Sequence, residues 1–221
     1  MATDPPLVLY IGEKNVSSWS MRAQVALTFK KSVPFEERVI SLLEDLDRSE
    51  RLKIGPTGRV PVLHHGGRVI PDSLAILEYL EEAFPSPDYP ALWPEDIDAR
   101  ARARWLAAAM HSGFAKLRES MSFNLCFLPT PPAASPGALE EAREVLGLWE
   151  GAYAARTLPG PFLVGPFSGA DVIFAPVTWR LTAFRVPAGE EAAAYMAAVL
   201  DHPAVRPWMD AAHALEPVPE E

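Results

Sequence analysis

The sequence has a single cysteine, Cys126, in 221 residues. A lone thiol excludes an intrachain disulfide and any cysteine-rich zinc site, and it suits a reducing compartment. Long apolar runs are also missing: no stretch approaches the roughly 20 residues a helix needs to span a bilayer. With 49% hydrophobic residues the composition is that of a soluble globular protein. Met1 to Pro6 carries Asp4 and two prolines where a secretory signal would place a basic region and then an apolar one. The expected location is therefore cytoplasmic, with no membrane partner. Basic residues are the minority, 20 against 29 acidic, giving a net charge of -9. Such a chain gains nothing from releasing counterions off a phosphate backbone, which argues against nucleic acid as a partner. A small anion remains compatible, because a few amides and one or two local cations outweigh the global field. The 5 histidines are scattered except for His64-His65. Adjacent strand residues point to opposite faces, so these two are badly placed to chelate one ion, and no metal is expected.

What is present is a regular alternation of short and long elements. Leu7 to Ile11 is a continuous apolar run, the pattern of a strand buried on both faces. Ser17 to Lys31 reads as a helix, with Met21, Val25 and Phe29 at helical spacing, and Phe35 to Ile40 as a second strand. Leu42 to Leu52 is expected to be a polar helix, and Gly55 to Gly58 a loop. Val60 to His64 and Arg68 to Ile70 flank Gly66-Gly67, a two-residue hairpin signal. Asp72-Ser73 then open an amphipathic helix bearing Leu74, Leu77, Leu80 and Phe84. The order βαβαββα implies a small mixed sheet, with strands one and two parallel through a right-handed crossover and the hairpin antiparallel. A proline-rich stretch from Pro85 to Pro90 ends this unit. The expected domains are 1–85 and 94–221, joined by a linker at about 86–93.

Everything after Trp93 reads as helix. One long helix is expected from Ala99 to Met121, then a proline-rich break from Pro129 to Pro136, then a helix from Leu139 to Arg156. Ser168-Gly169-Ala170-Asp171 is a capping box in its Asp form, with Phe167 and Val172 at the staple positions. The helix it opens runs to Phe184 and should kink at Pro176. Helices at Glu190 to Leu200 and Ala204 to Leu215 complete the chain. Cys126 is far from any expected helix start in the first domain, and is expected to be a partly buried structural thiol.

The runs GPTGRVPVL (55–63), DSLAILEYLE (72–81) and FLVGPFSGADVIFAP (162–176) follow a strand and a serine-rich helix start in fixed order. Together they resemble a bacterial glutathione transferase over nearly the whole chain. The segment Ser17-Ser18-Trp19-Ser20-Met21-Arg22 is similar to the Ser-Ser-Cys-Ser-Trp-Arg signature of the zeta class, with Trp19 in the place of the cysteine. The resemblance implies a thioredoxin-like α/β domain that binds glutathione, an all-helical domain that shapes the second-substrate pocket, and a homodimer.

The resemblance also assigns residues. Ser17, or its neighbour Ser18, is the implied catalytic residue, donating a hydrogen bond to the glutathione sulfur at a helix N-terminus that favours the same anion. The alternative for either serine is a plain helix cap. Val60-Pro61 resembles a cis-proline junction that exposes backbone to the cysteinyl part of glutathione. Asp72 and Ser73 would hold the γ-glutamyl group at a helix start, and Lys53 and Arg59 would meet the glycyl carboxylate. By helical spacing, His111, Phe114 and Arg118 fall near one face of the expected long helix, where they are candidates for the second-substrate pocket; the alternative is an ordinary core stripe. The expected activity is conjugation of glutathione to a small apolar electrophile. The alternatives are a zeta-like glutathione-dependent cis-trans isomerase and a non-catalytic glutathione-binding module.

Overall fold

In the computed structural model, residues 7–31, 33–42, 48–125 and 133–215 are described. Cys126 and the start of the second proline-rich stretch lie outside them. Strand β1 (Leu7–Ile11) buries Leu7, Leu9 and Ile11. It pairs in parallel with β2 (Phe35–Val39) in the register Leu7↔Phe35, and antiparallel with β3 (Val62–His65) in the register Leu9↔Leu63. β3 turns back into β4 (Arg68–Pro71), giving the sheet order β2-β1-β3-β4. The hairpin closes through Gly66 and Gly67 at φ 54° and 80°. Positive φ at both central residues is what a tight turn matching the strand twist requires, and glycine meets it without a Cβ clash.

Helix α1 (Ser18–Phe29) joins β1 to β2 and is buried along almost its whole length. It packs against α3 (Ser73–Ala83) on one side and α7 (Gly169–Ala183) on the other. A helix enclosed in this way needs no polar stripe, which is why its sequence shows so little amphipathic contrast. Lys30 caps the end of α1 in full burial, donating to a carboxylate oxygen of Glu81 at 2.6 Å and to the Phe84 carbonyl at 2.8 Å. The same Glu81 oxygen accepts the Leu92 amide, so one ion pair fastens α1, α3 and the connecting segment.

The βαβαββα order and the helical remainder match the expectation, while several element bounds differ. α2 (Arg48–Ile54) replaces the expected Leu42–Leu52 helix. Leu42 is not helical; its amide donates to the Glu13 carboxylate. The expected helix from Ala99 to Met121 is two: α4 (Ile97–Ser112) and α5 (Ala115–Ser120). They break where Gly113 is extended and Phe114 is left-handed at φ 60°. α6 (Pro136–Ala154) starts earlier than expected because Ser135 accepts the Ala138 amide and Pro136 fits the first helical turn.

α7 is buried from Gly169 to Leu181 and runs through Pro176. A Cβ on Gly169 would come within 2.5 Å of the Trp93 ring, so glycine is what lets the connecting segment lie against the helix start. At that start Asp171 reaches back to accept the Ser168 amide (2.8 Å) and hydroxyl (2.9 Å). α8 (Glu190–Leu200) and α9 (Arg206–His213) close the fold. Among the described residues, no helix is long and apolar enough to cross a membrane.

Candidate active site

A cavity of about 440 Å³ opens where the N-terminal turns of α1 and α3 meet the last turn of α4. Each wall follows from local chemistry. The Val60-Pro61 peptide is cis and stands just ahead of β3, so both residues face the cavity together with Thr57 and Arg59 of the preceding loop. Asp72 caps α3: one carboxylate oxygen accepts the Leu74 and Ala75 amides at 2.9 and 3.0 Å. Its backbone sits at φ 60°, a sparsely populated conformation for a residue other than glycine and one often held in place at ligand sites. The other oxygen lies 3.7 Å from Nε2 of His111. Ser73, next along, is fully buried and its hydroxyl has no hydrogen-bond partner among the described residues. A buried hydroxyl without a partner, at a helix start that faces a cavity, is suited to bond a polar ligand atom.

The α1 side is built by the serine-rich turn. Ser17 is the N-cap but its side chain makes no capping bond. It donates to the Ser20 hydroxyl at 2.7 Å, and Ser20 in turn accepts the Gly12 amide at 3.0 Å, pinning the loop after β1. Ser18 instead accepts from Arg180 at 3.4 Å. Both serines are buried beside the cavity, and the residue of this turn that lines it is Trp19.

Behind Trp19 lies a cluster of arginines. The Arg22 and Arg118 guanidiniums are 4.4 and 5.5 Å from the indole, and the His111 ring meets it edge-on at 5.2 Å. Arg22 donates through Nε to the Ile173 carbonyl, Arg180 to the Met121 carbonyl, and Arg118 to the Gly113 carbonyl. Burial lowers both Arg22 and Arg180 to about 9, and repulsion between neighbouring guanidiniums adds to it. Both stay charged at neutral pH. Nη1 of Arg22 is buried without a partner among the described residues. The cluster's hydrogen bonds run mainly to neutral carbonyls, while the carboxylates of Asp72, acting on Arg22, and of Glu141 and Glu119, acting on Arg118, offset part of its charge.

The structure thus brings Arg59, Val60, Pro61, Asp72, Ser73 and His111 around one cavity. Lys53 is not among its lining residues and pairs with Glu50 at the surface of α2. His111, Phe114 and Arg118 do not share one helical face, because the chain breaks between them. His111 lines the cavity, Phe114 packs against the core, and Arg118 reaches Trp19 from α5. Sequence reasoning missed Thr57 and Trp19 as lining residues. Trp19 carried a signal, an aromatic side chain at the cysteine position of a serine-rich motif. The paired histidines turn apart: His64 bonds the Ile54 carbonyl and His65 the Tyr79 hydroxyl.

Residues 13–88 match the family model of the glutathione S-transferase N-terminal domain. A probable maleylacetoacetate isomerase of Caenorhabditis elegans is 32% identical over 180 residues, covering 81% of this chain and 80% of that protein. The chain belongs to the glutathione S-transferase family. Among solved structures it is similar to a glutathione transferase homologue from Burkholderia with bound glutathione, at 29% identity and TM-score 0.71, covering 96% and 99% of the two chains. It is also similar to a holo maleyl pyruvate isomerase, described as a bacterial zeta-class glutathione S-transferase, at 26% identity and TM-score 0.72 over 95% and 99% of the chains.

Proposed function

We propose that this transferase-family chain binds glutathione in the cavity between α1, α3 and α4, and uses it on a carboxylate-bearing substrate as a cis-trans isomerase of the zeta type. The residues fit glutathione: the orphaned Ser73 hydroxyl at the start of α3 suits its γ-glutamyl carboxylate, and the backbone at cis Val60-Pro61 suits its cysteinyl portion. Arg59 suits the glycyl carboxylate, a role for which Lys53 is poorly placed. Bound glutathione supplies a thiol whose thiolate is the nucleophile. Ser17 and the N-terminus of α1 favour that anion by hydrogen bonding and by the helix dipole.

The observation that carries the isomerase reading is the arginine cluster. Arg22 and Arg118 lie against Trp19 with Arg180 close to both, a concentration of guanidiniums that suits a planar dicarboxylate better than an apolar electrophile. The maleyl-type isomerases among its relatives support the same direction. Conjugation to an apolar electrophile has no comparable support in the cavity. The homodimer belongs to the same proposal, with Ile97 and Trp105 on α4 exposing apolar surface for it.

The test is an assay of the purified protein on maleylpyruvate or maleylacetoacetate, with and without glutathione, beside an apolar aryl halide. Glutathione-dependent isomerisation that drops tenfold or more in Arg118→Ala is expected. Turnover of the aryl halide alone would return the conjugation reading. Binding of glutathione without turnover of either would make the chain a binding module.

A further inference from the structure

Trp19 and Arg22 stand three residues apart on α1, neighbours on one face of the helix. The indole lines the cavity, whereas Arg22 and Arg180 are not among its lining residues and are both buried. Nε of Arg22 is tied to the Ile173 carbonyl at 3.0 Å and Nε of Arg180 to the Met121 carbonyl at 2.7 Å, which fixes both guanidiniums in place. Nη1 of Arg22 is left without a partner among the described residues, a charged donor in full burial. A donor of that kind bonds any anion that reaches it. Arg118 differs. It is half-buried on α5, and its charge acts on His111, which does line the cavity. The indole is itself pinned, with Arg22 at 4.4 Å, Arg118 at 5.5 Å and the His111 ring edge-on at 5.2 Å. Two cation–π contacts and one edge contact make it a wall.

We propose that Trp19 is the specificity-determining residue for the second substrate: it walls Arg22 and Arg180 off from the cavity and leaves Arg118 as the one guanidinium of the cluster that a ligand carboxylate touches. The site then holds its substrate by a single carboxylate, and a second carboxylate close to the first gains no contact. Arg22 and Arg180 act on the ligand through their field across the indole, which the low-dielectric interior transmits. For the identity of the substrate this rests on the isomerase reading above; the wall itself does not. The ring fills the space between the cavity and Nη1 of Arg22, so a side chain without the ring opens a second carboxylate subsite there. Arg22 is already held by Ile173 in the orientation that subsite needs, so the gain requires no rearrangement of the cluster.

The test is titration of the full chain, in the presence of glutathione, with succinate and with monomethyl succinate, followed by ligand-observed NMR. The two probes share a skeleton, differ by one carboxylate and have no double bond for the thiol to attack. The wild type should bind them within about threefold of each other, and Arg118→Ala should weaken both. Trp19→Ala should bind succinate about tenfold or more tightly than the ester, the size of one added charge-assisted hydrogen bond, with the ester's affinity unchanged. Trp19→Phe, which keeps a ring in place, should behave as the wild type. A wild type that already prefers succinate tenfold would overturn the proposal, because Arg22 would then be open to the cavity. So would a Trp19→Ala variant with no gained preference, or a wild type that binds neither probe. If glutathione-dependent isomerisation fails while Trp19→Ala gains succinate, the isomerase reading falls and the wall stands.

Discussion

The indole of Trp19 lines the cavity while the guanidinium of Arg22 lies 4.4 Å from its ring, on the same helix and fully buried. Arg22 also donates to the Ile173 carbonyl of α7, so the wall of the ligand site is anchored across the molecule to the helical half. The Trp19 wall of the pocket therefore depends on how α1 and α7 pack.

Arg22→Lys keeps the charge but loses the planar fork that stacks on Trp19 and bonds Ile173. It should lower the unfolding free energy by about 2 kcal/mol. It should also weaken glutathione binding by releasing Trp19. Urea unfolding and ligand titration on the same variant check both; unchanged stability would mean that the stacking and the carbonyl bond contribute nothing.

The two candidate serines should separate. Among the described residues the Ser17 hydroxyl bonds the Ser20 hydroxyl alone, whereas Ser18 is engaged by the Arg180 guanidinium. Ser17→Ala should raise the pKa of the bound glutathione thiol by about 1–2 units, the size of one hydrogen bond to a charged group. Ser18→Ala should leave that pKa in place. Ultraviolet absorbance of the thiolate against pH distinguishes them, and the opposite pattern would move the catalytic role to Ser18.

Lys30 and Glu81 offer a test of the junction. Removing either member of the pair strands the other charge, and the cost follows the burial of the group left behind: Glu81→Ala leaves the fully buried ammonium of Lys30, whereas Lys30→Met leaves a carboxylate that is 22% exposed and still accepts the Leu92 amide. Glu81→Ala should cost about 3 kcal/mol or more, and Lys30→Met clearly less. If Lys30→Met proves the worse of the two, the pair is solvated in solution in spite of its burial.

The βαβαββα order was legible because its signals are local: an apolar run at Leu7, paired glycines at 66 and 67, a capping residue at Asp72. The α4–α5 break was not, because it depends on one residue, Phe114, held in a left-handed conformation that its side chain does not favour. A single glycine ahead of it reads as tolerable within a helix. That break carries Arg118 away from the face of His111. The start of α2 was misplaced because Leu42 is fixed by Glu13, a contact between residues far apart in sequence. At the site, the α3 start and the cis proline were legible through motif order. The arginine cluster was not, since Arg22, Arg118 and Arg180 come together only when α1, α5 and α7 pack.

Asp171 links the capping box to a pH effect. Its carboxyl is fully buried and accepts from the Leu163 amide, the Ser168 amide and hydroxyl, and the Tyr195 hydroxyl. Those bonds favour the carboxylate, but burial outweighs them and holds the carboxyl up at about 6, against 3.8 for an ordinary aspartate. The native state therefore binds this proton more tightly than the unfolded chain does. The resulting stabilisation is fully present below about pH 4 and is lost as pH rises through about 6. A shift of that size corresponds to on the order of 3 kcal/mol. Asp171→Asn should be less stable than wild type at acidic pH, because an amide offers one acceptor where the carboxyl offers two. The gap should narrow steadily between pH 4 and pH 7 as the wild-type group ionises in a site that disfavours its charge. Urea midpoints across that range measure it. Parallel profiles for the two proteins would show that the four hydrogen bonds compensate the buried charge in full, and that Asp171 titrates as it would in water.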